Sequence, residues 1–498
     1  MNAPPSACTI RSNRYVDSVL LMHLSKRLSQ EAGVSDAFLI MATEANLARA
    51  IDSGYPTKEI EAAGPDDLLA CVRAVSDEAA SKALEKLDSL LDEQPRRTTT
   101  TAGSIDGALE ALPGAGVVAI SVPGEFAAAE AARAVERGLN VFLFSSNVAL
   151  DDEIALKREA SRNGLIVMGP DCGTSIISGV GLGFANGVRR GPIGVVGASG
   201  TGIQAITTLV HRMGSGVSHA IGVGSRDLSD EVGGISTLAA LDALDADDMT
   251  EVIVLVAKSI AERSRGSVEQ RTRSISKPVL ECYLGPGGPH LENTAEEAVR
   301  ASGHSPIPLE PSVERDSAEK NRRAGPVRRY IRGLFAGGTF CSEAQIVMLD
   351  TGIEVRSNAP LLPYMNLDDP RRSEGHALVD MGSAEYTRGR PHPMIDARAR
   401  CDRLVQEGCD PETSVILIDV VLGYGAASDP AGDLIDALQQ VQDESGGQIA
   451  IVASVCGTQL DPQGLERQTK TLQAAGASVF VTNSRAATAA LELAGVVS

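Results

Sequence analysis

The chain has 498 residues, a net charge of −20, 43% hydrophobic residues, 50 glycines and no tryptophan. That length exceeds a single core and predicts three or four domains, and the composition is that of a folded α/β protein rather than a disordered one. A chain this acidic and this poor in aromatic rings repels phosphodiester backbones and lacks stacking platforms, which speaks against a nucleic-acid partner.

In chain order, "YVDSVLLMHLSKRLSQEAGVSDAFLIMATEANL" (Tyr15 to Leu47) reads as strand, helix, strand, with Gly33 turning between the last two. A charged, helix-rich stretch follows. The Pro/Thr-rich piece from Pro95 to Gly103 reads as a linker. Next come "GVVAISV" as a strand, "GEFAAAEAARAVERG" as a helix, "NVFLFSS" as a strand, "DDEIALKREASRNG" as a helix and "LIVMG" as a strand. Short β-rich runs between amphipathic helices predict a parallel sheet with crossover helices. A new series then starts, with strands "IGVVG", "HAIGVG", "EVIVLVA" and "KPVLECYLG". Ser305 to Ala324, rich in proline and charge, reads as a second linker, and another α/β unit begins at Arg329. That unit echoes the one before it: "IRGLFAGGTFCSEAQI" follows "IGVVGASGTGIQAI", "SVILIDVVLGYG" follows "EVIVLVAKS", and "IAIVASVCGT" follows "KPVLECYLG". The echo predicts two homologous domains with a site between them.

The eight cysteines are dispersed with no CxxC pair, so free buried thiols are expected and neither a metal nor a disulfide framework. The N-terminus has no signal-length apolar core and no apolar run is long enough for a bilayer, so a cytoplasmic protein without membrane contact is expected.

Five peptides can carry chemistry. In "GPIGVVGASGTGIQAI", Gly197 and Gly200 turn the backbone, and Ser199 and Thr201 stand where a helix starts. The first-turn N–H groups have no internal partner and the dipole is positive there, so a phosphate or carboxylate can settle without a lysine; a merely capped helix is the alternative. Gly337, Gly338 and Thr339, followed by Ser342 and Glu343, can do the same from the opposite side. The "GPDCG" loop follows a strand, where α/β sheets bind ligands. There Asp171 can cap a turn or orient an amide, and Cys172 reads as a buried thiol rather than a nucleophile. "EYTRGRPHPMID" offers Arg388 and Arg390 as an anion clamp, His392 as a proton carrier near neutral pH, and Asp396 to fix its tautomer. An exposed basic loop is the alternative. In "SVCGTQLDPQ", Cys456, Gly457, Thr458 and Gln459 stand at a strand end, with Gln459 able to bind an amide and Asp461 able to cap a helix opening at Pro462. His290 reads as an exposed histidine in a Pro/Gly loop.

"MGPDCGTSI", followed by "GPIGVVGASGTGIQAI" and "AIGVGSRDLSD", resembles the α subunit of succinyl-CoA synthetase, with its Pro-Asn-Cys loop, Ser-Gly-Thr helix start and Gly-Ile-Gly-Gly-Asp turn. The last unit resembles the CoA-ligase domain of that enzyme's β subunit. With "ALVDMGSAEYTRGRPHPMID" and "CGTQLDPQGLERQ" added, nearly the whole chain resembles the FdrA family. The resemblance implies an α/β fold of several doubly wound parallel-sheet domains. These are an N-terminal α+β unit (1–98), a CoA-binding-like Rossmann domain (99–190), a flavodoxin-like synthetase domain (191–304), a linker (305–328) and a flavodoxin-like CoA-ligase domain (329–498).

It also implies an acyl-CoA-synthetase-like scaffold. Such genes lie in purine (allantoin) degradation clusters beside a carbamate kinase. Members are implicated in oxamate carbamoyltransferase, which converts oxalurate and phosphate to oxamate and carbamoyl phosphate, as one subunit of a complex. On this reading His392, Arg388 and Arg390 are catalytic, phosphate or carbamoyl phosphate is a substrate, and other subunits are partners. CoA is a further candidate, with acyl-CoA synthesis, ATP being handled by a partner chain, as one alternative. A non-catalytic ligand-binding scaffold is the other. In the resembling ligases the Ser-Gly-Thr helix start faces a phosphohistidine, and Cys172 matches a cysteine lining the active region. Two features depart from the pattern: "YLGPGGPHLENT" replaces the phosphohistidine loop, and "VAKSIAE" around Lys258 lacks the expected glutamate-bearing turn.

Overall fold

The computed structural model describes residues 5–92 (apart from 13, 15, 17, 44–45, 48–49, 52–54, 56–59, 61–62 and 66), 102–309, 328–387 and 391–496. The chain divides into two units, Met1–Ala102 and Gly103–Ser498. The linker expected at 95–103 falls mostly, and that at 305–324 in greater part, outside the described residues.

In the first unit, β1 (Ser6–Arg11), β2 (Val34–Met41) and β3 (Leu68–Ala74) form an antiparallel sheet ordered β1-β3-β2. The strand expected from Tyr15 starts outside the described residues, and the apolar run that continues it is a helix, Ser18–Ser29. Leu21, Leu24 and Leu28 recur at helical spacing and are all buried, so the apolar run is a helix face, and the strand lies upstream. Cys8 and Cys71 are directly opposed in the β1–β3 ladder and are joined as a disulfide, which corrects the expectation of free thiols for these two. Cross-strand opposition brings Cβ atoms together whatever the sequence separation. The other six cysteines are free.

The second unit holds three sheets. β4 (Val117–Ile120), β5 (Asn140–Leu143) and β6 (Val167–Met168) run parallel, with helices Gly124–Glu136 and Leu150–Arg162 between them. The next sheet contains β7 (Thr174–Ile177), β8 (Val180–Gly183), β9 (Arg190–Gly197), β10 (Val217–Gly222), β11 (Val252–Ala257) and β12 (Val279–Tyr283), ordered β12-β11-β9-β10-β7-β8. Its parallel centre is VIVLVA-like and buried on both faces, as parallel strands between helices require. The β7–β8 hairpin is antiparallel and lies within 99–190, yet it pairs with β10 of the following sheet. The third sheet contains β13 (Tyr330–Phe335), β14 (Arg356–Ser357), β15 (Ala377–Asp380), β16 (Thr413–Val421), β17 (Ala450–Cys456) and β18 (Ser478–Phe480), ordered β14-β15-β13-β16-β17-β18 and parallel throughout.

The sequence echo has a structural counterpart. The order β12-β11-β9-β10 matches β17-β16-β13-β15, and Ile193 pairs with Val252 as Ile331 pairs with Val415. The two sheets share one apolar core, in which Val195, Ile203, Phe340 and Leu378 belong to a continuous cluster. Among the described residues no helix is long and apolar enough to cross a membrane.

Candidate active site

β9 ends at Gly197, and Ser199 caps the helix Gly200–Arg212, its hydroxyl accepting from the amide of Gly202 at 3.4 Å. β13 ends at Phe335, and the helix Gly338–Asp350 follows Gly337. The two helix starts meet. The hydroxyls of Ser199 and Thr339 are hydrogen-bonded, and the Thr339 amide donates to Thr201 Oγ1 at 3.3 Å. Both corners thus bring together the residues singled out in sequence, with two positive dipole ends, each equivalent to roughly half a charge, converging. Among the described residues nothing accepts from the amides of Gly200, Thr201 or Gly338.

Side chains from neighbouring strand ends surround this junction. Asp419 in β16 accepts from the amides of Ala336 and Gly337 at 2.8 and 2.7 Å, and from Arg400 at 2.7 Å. Burial raises its pKa against the pull of Arg400 and the two amides. With three charge-assisted or amide donors it is the anion at this corner. Lys258, the first residue after β11, donates to Asp380 Oδ2 at 3.5 Å. A Cβ placed on Gly338 would lie 2.3 Å from Lys258 Nζ and 2.4 Å from Asp380 Oδ2, so only glycine lets these two groups stand over that helix start. At the other corner, Thr174 is 1% exposed and its hydroxyl has no partner. A Cβ on Gly200 would lie 3.3 Å from it.

Asp171 follows β6 at a left-handed φ of 58° and accepts from Ser225 at 2.9 Å. Burial raises its pKa, opposed by Ser225, Arg226 and Lys258. Cys172 is buried beneath the loop and burial pushes its thiol up to about 11, as expected of a thiol that is not a nucleophile. Arg388 and Arg390 lie outside the described residues. His392 differs from expectation. Burial lowers its pKa to about 4, while Asp380 pulls it upward. Its ring stacks obliquely on Phe184, and Nδ1 accepts from the Met394 amide at 3.2 Å. It is therefore neutral at pH 7 and not a proton carrier there. Asp396 pairs with Arg398 at 2.6 Å instead of fixing the imidazole.

The peptide at the end of β17 is spent on internal packing. Thr458 donates its hydroxyl to the Gly187 carbonyl, and Asp461 accepts from Thr458 N, Gly187 N and Asn186 Nδ2 at 2.7, 2.7 and 3.0 Å. The helix expected at Pro462 begins at Leu465, with Gly464 as its cap. Gly457 packs on Leu422. Burial pushes the Cys456 thiol up to about 12, and it lines a cavity of about 20 Å³, room for one water rather than a substrate. Gln459 is exposed. His290, half-buried rather than exposed, occupies the N-cap position of the helix Leu291–Ala301 without a side-chain capping bond, beside a groove of about 490 Å³. Lys258, Asp380, Thr174 and Asp419 were not singled out as site residues. The sequence signal of the three charged residues is a charge closing or interrupting an apolar strand.

Three family models match the chain: the CoA-ligase model over 334–493, the CoA binding domain over 188–275, and the AllF heavy metal-associated domain over 4–107. The CoA-binding match falls on the second sheet, whereas 99–190 was expected to be the CoA-binding-like domain. The class is thus that of the CoA-ligase-type proteins. The chain belongs to the family of the uncharacterized protein YahF of Escherichia coli (strain K12), with 39% identity over 489 residues, 94% of each chain. It is 28% identical over 176 residues to the succinate–CoA ligase [ADP-forming] α subunit of Methanothermobacter thermautotrophicus, 34% of this chain and 57% of that subunit, so it spans little more than half of that relative. A solved acetyl-coenzyme A synthetase of Ca. Korarchaeum cryptofilum is 18% identical over 76% of this chain and 83% of its own, with a TM-score of 0.29. Cys8 and Cys71 in the metal-associated domain bind each other, and no group of three or more His, Cys, Asp or Glu among the described residues can surround an ion. Among the described residues, this set does not fit a resident metal.

Proposed function

We propose that the chain is the acyl-transfer component of a CoA-ligase-type enzyme, exchanging an acyl group between phosphate and CoA. The observation that carries this reading is the meeting of two helix starts with free amides on domains of CoA-ligase and CoA-binding type. The phosphoryl oxygens of an acyl phosphate lie against the amides of Gly200, Thr201 and Gly338. The CoA sulfur, as thiolate, attacks the acyl carbon. The carbon–oxygen bond to phosphorus breaks, and the leaving phosphate takes the electron pair and is stabilised by the same donors. Formation of the acyl phosphate from ATP is assigned to a partner chain.

The test is the full chain with acetyl or succinyl phosphate and CoA, with thioester followed. Thioester without ATP supports the reading, and none across a panel of acyl phosphates sinks it.

A second reading, carbamoyl transfer, is favoured by one feature. The peptide "YLGPGGPHLENT" stands where the resembling ligases carry their phosphohistidine loop, so this reading takes free phosphate as the anion at the junction. Phosphate oxygen would attack the carbamoyl carbon of oxalurate, the carbon–nitrogen bond would break, and the oxamate nitrogen would take a proton. Arg388 and Arg390 would clamp the carboxylate. Carbamoyl phosphate appearing from oxalurate and phosphate, with the partner subunits present, distinguishes it from CoA transfer.

A further inference from the structure

We propose that Lys258 is a catalytic residue that moves between two partners, Asp380 when the helix junction is open and a phosphoryl oxygen when it is filled. This rests on the acyl-transfer reading above. β11 is apolar and buried throughout, and Lys258 is the residue at which the chain leaves the sheet at its carboxyl end. There its ammonium fills the space that a Cβ on Gly338 would need, at the start of a helix.

A cation at a helix N-terminus is in the wrong place electrostatically, because the dipole is positive there. Asp380 offsets this only in part. Their 3.5 Å separation is long against the roughly 2.7–2.9 Å of a full charge-assisted hydrogen bond. Asp380 Oδ1 is engaged by the Gly382 amide, so the carboxylate is fixed while the lysine is not. The Lys258 side chain is 40% exposed, whereas that of Asp380 is 6% exposed, so the ammonium is the member of the pair that an incoming ligand can reach. Asp171 also lies within its field.

A mobile ammonium, unpartnered amides on two helices and a buried hydroxyl without a partner at Thr174 together describe a receptor for a tetrahedral dianion. A compact ammonium suits a single phosphoryl oxygen, where a guanidinium fork would favour a planar carboxylate. Inorganic phosphate and the phosphoryl end of an acyl phosphate share this chemistry.

The test is calorimetric titration of the full chain with inorganic phosphate, repeated with acetyl phosphate to separate the two sources. Lys258→Met is expected to raise the phosphate Kd about tenfold, the effect of losing one charge-assisted contact. Lys258→Arg should restore part of it. Asp380→Asn should lower the Kd severalfold, because it removes the competitor for the ammonium; a purely structural ion pair predicts the opposite. A measurement on the unaltered chain stands beside the variants. Phosphate should slow acylation of Lys258 by an amine-reactive reagent, read by mass spectrometry, and leave exposed Lys470 unaffected.

Phosphate binding by the wild type with an unchanged Kd in Lys258→Met, or with no protection of Lys258, overturns the role of Lys258 alone. Absence of phosphate binding by the wild type overturns both this role and the acyl-transfer reading.

Discussion

At the Gly338 corner two carboxylates flank the turn: Asp419, which accepts from the amides of Ala336 and Gly337, and Asp380, the last residue of β15. Strand register places Val256 and Gly222 at the corresponding positions beside the Gly200 corner. There the Ala198 amide donates to the backbone carbonyl of Val256 at 3.1 Å, and no acid fills the turn. One copy of the repeat therefore carries its own anion and leaves only the Gly338 amide open, and the other leaves those of Gly200 and Thr201 open. Duplicated corners that meet end to end would otherwise concentrate like partial charge. Asymmetric placement of acids offsets part of the potential on one side and leaves that of the other wholly available to a ligand shared between them.

The largest expected effect is at the filled corner. Asp419→Ala strands two amides and the Arg400 guanidinium in the core, which should cost about 3–5 kcal/mol and appear as a large fall in the urea midpoint. The second helix also carries a buried acid, Glu343, where the first has Ala205. Burial raises Glu343 from 4.5 to about 7, against Asn483 and the Leu291 amide. Between these values the folded chain holds a proton that the unfolded chain releases. The stability contributed is full below about pH 4.5 and is lost as pH rises to about 7. Glu343→Gln should therefore be neutral at pH 4.5 and stabilising at pH 8 by up to about 3 kcal/mol, read from denaturation curves at both pH values. Equal effects at the two pH values would refute a protonated Glu343. Ser199→Ala, which removes only a cap and its link to Thr339, should cost about 1 kcal/mol. If it cost as much as Asp419→Ala, the two corners would be held by similar interactions and the contrast would fail.

Much of this was legible in the chain. Buried parallel strands show as runs such as "VIVLVA", and both corners show as glycine with serine or threonine before an apolar helix. The partners of the corners were not, because they come from other strands and only the sheet order brings them in. Asp419 inside "VILIDVV" was the readable clue, since a lone acid in an apolar strand must find donors at the strand end. The opposite case is Thr458. Its position at a strand's carboxyl end suggested a ligand, but that end abuts residues 186–187, and the polar groups of Thr458 and of Asp461, expected as a helix cap, are consumed there. Ring desolvation, invisible in a peptide as polar as "TRGRPHP", removed His392 from proton transfer near neutral pH.

The smallest effect on stability is the most telling about the open corner. Thr174 lies in the hairpin that crosses from the first parallel sheet to the edge of the second, and its buried hydroxyl has no partner. Replacing an unsatisfied buried hydroxyl by a methyl of the same shape removes a desolvation cost and sacrifices no hydrogen bond. Thr174→Val should therefore leave stability unchanged or raise it by up to about 1 kcal/mol. If the hydroxyl is kept for a ligand, the same change should weaken phosphate binding roughly fivefold, the value of one neutral hydrogen bond. Gain in one measurement with loss in the other is the signature of a group held for binding. Phosphate affinity that did not move would assign Thr174 to packing alone and leave the Gly200 and Thr201 amides to hold the anion at that corner.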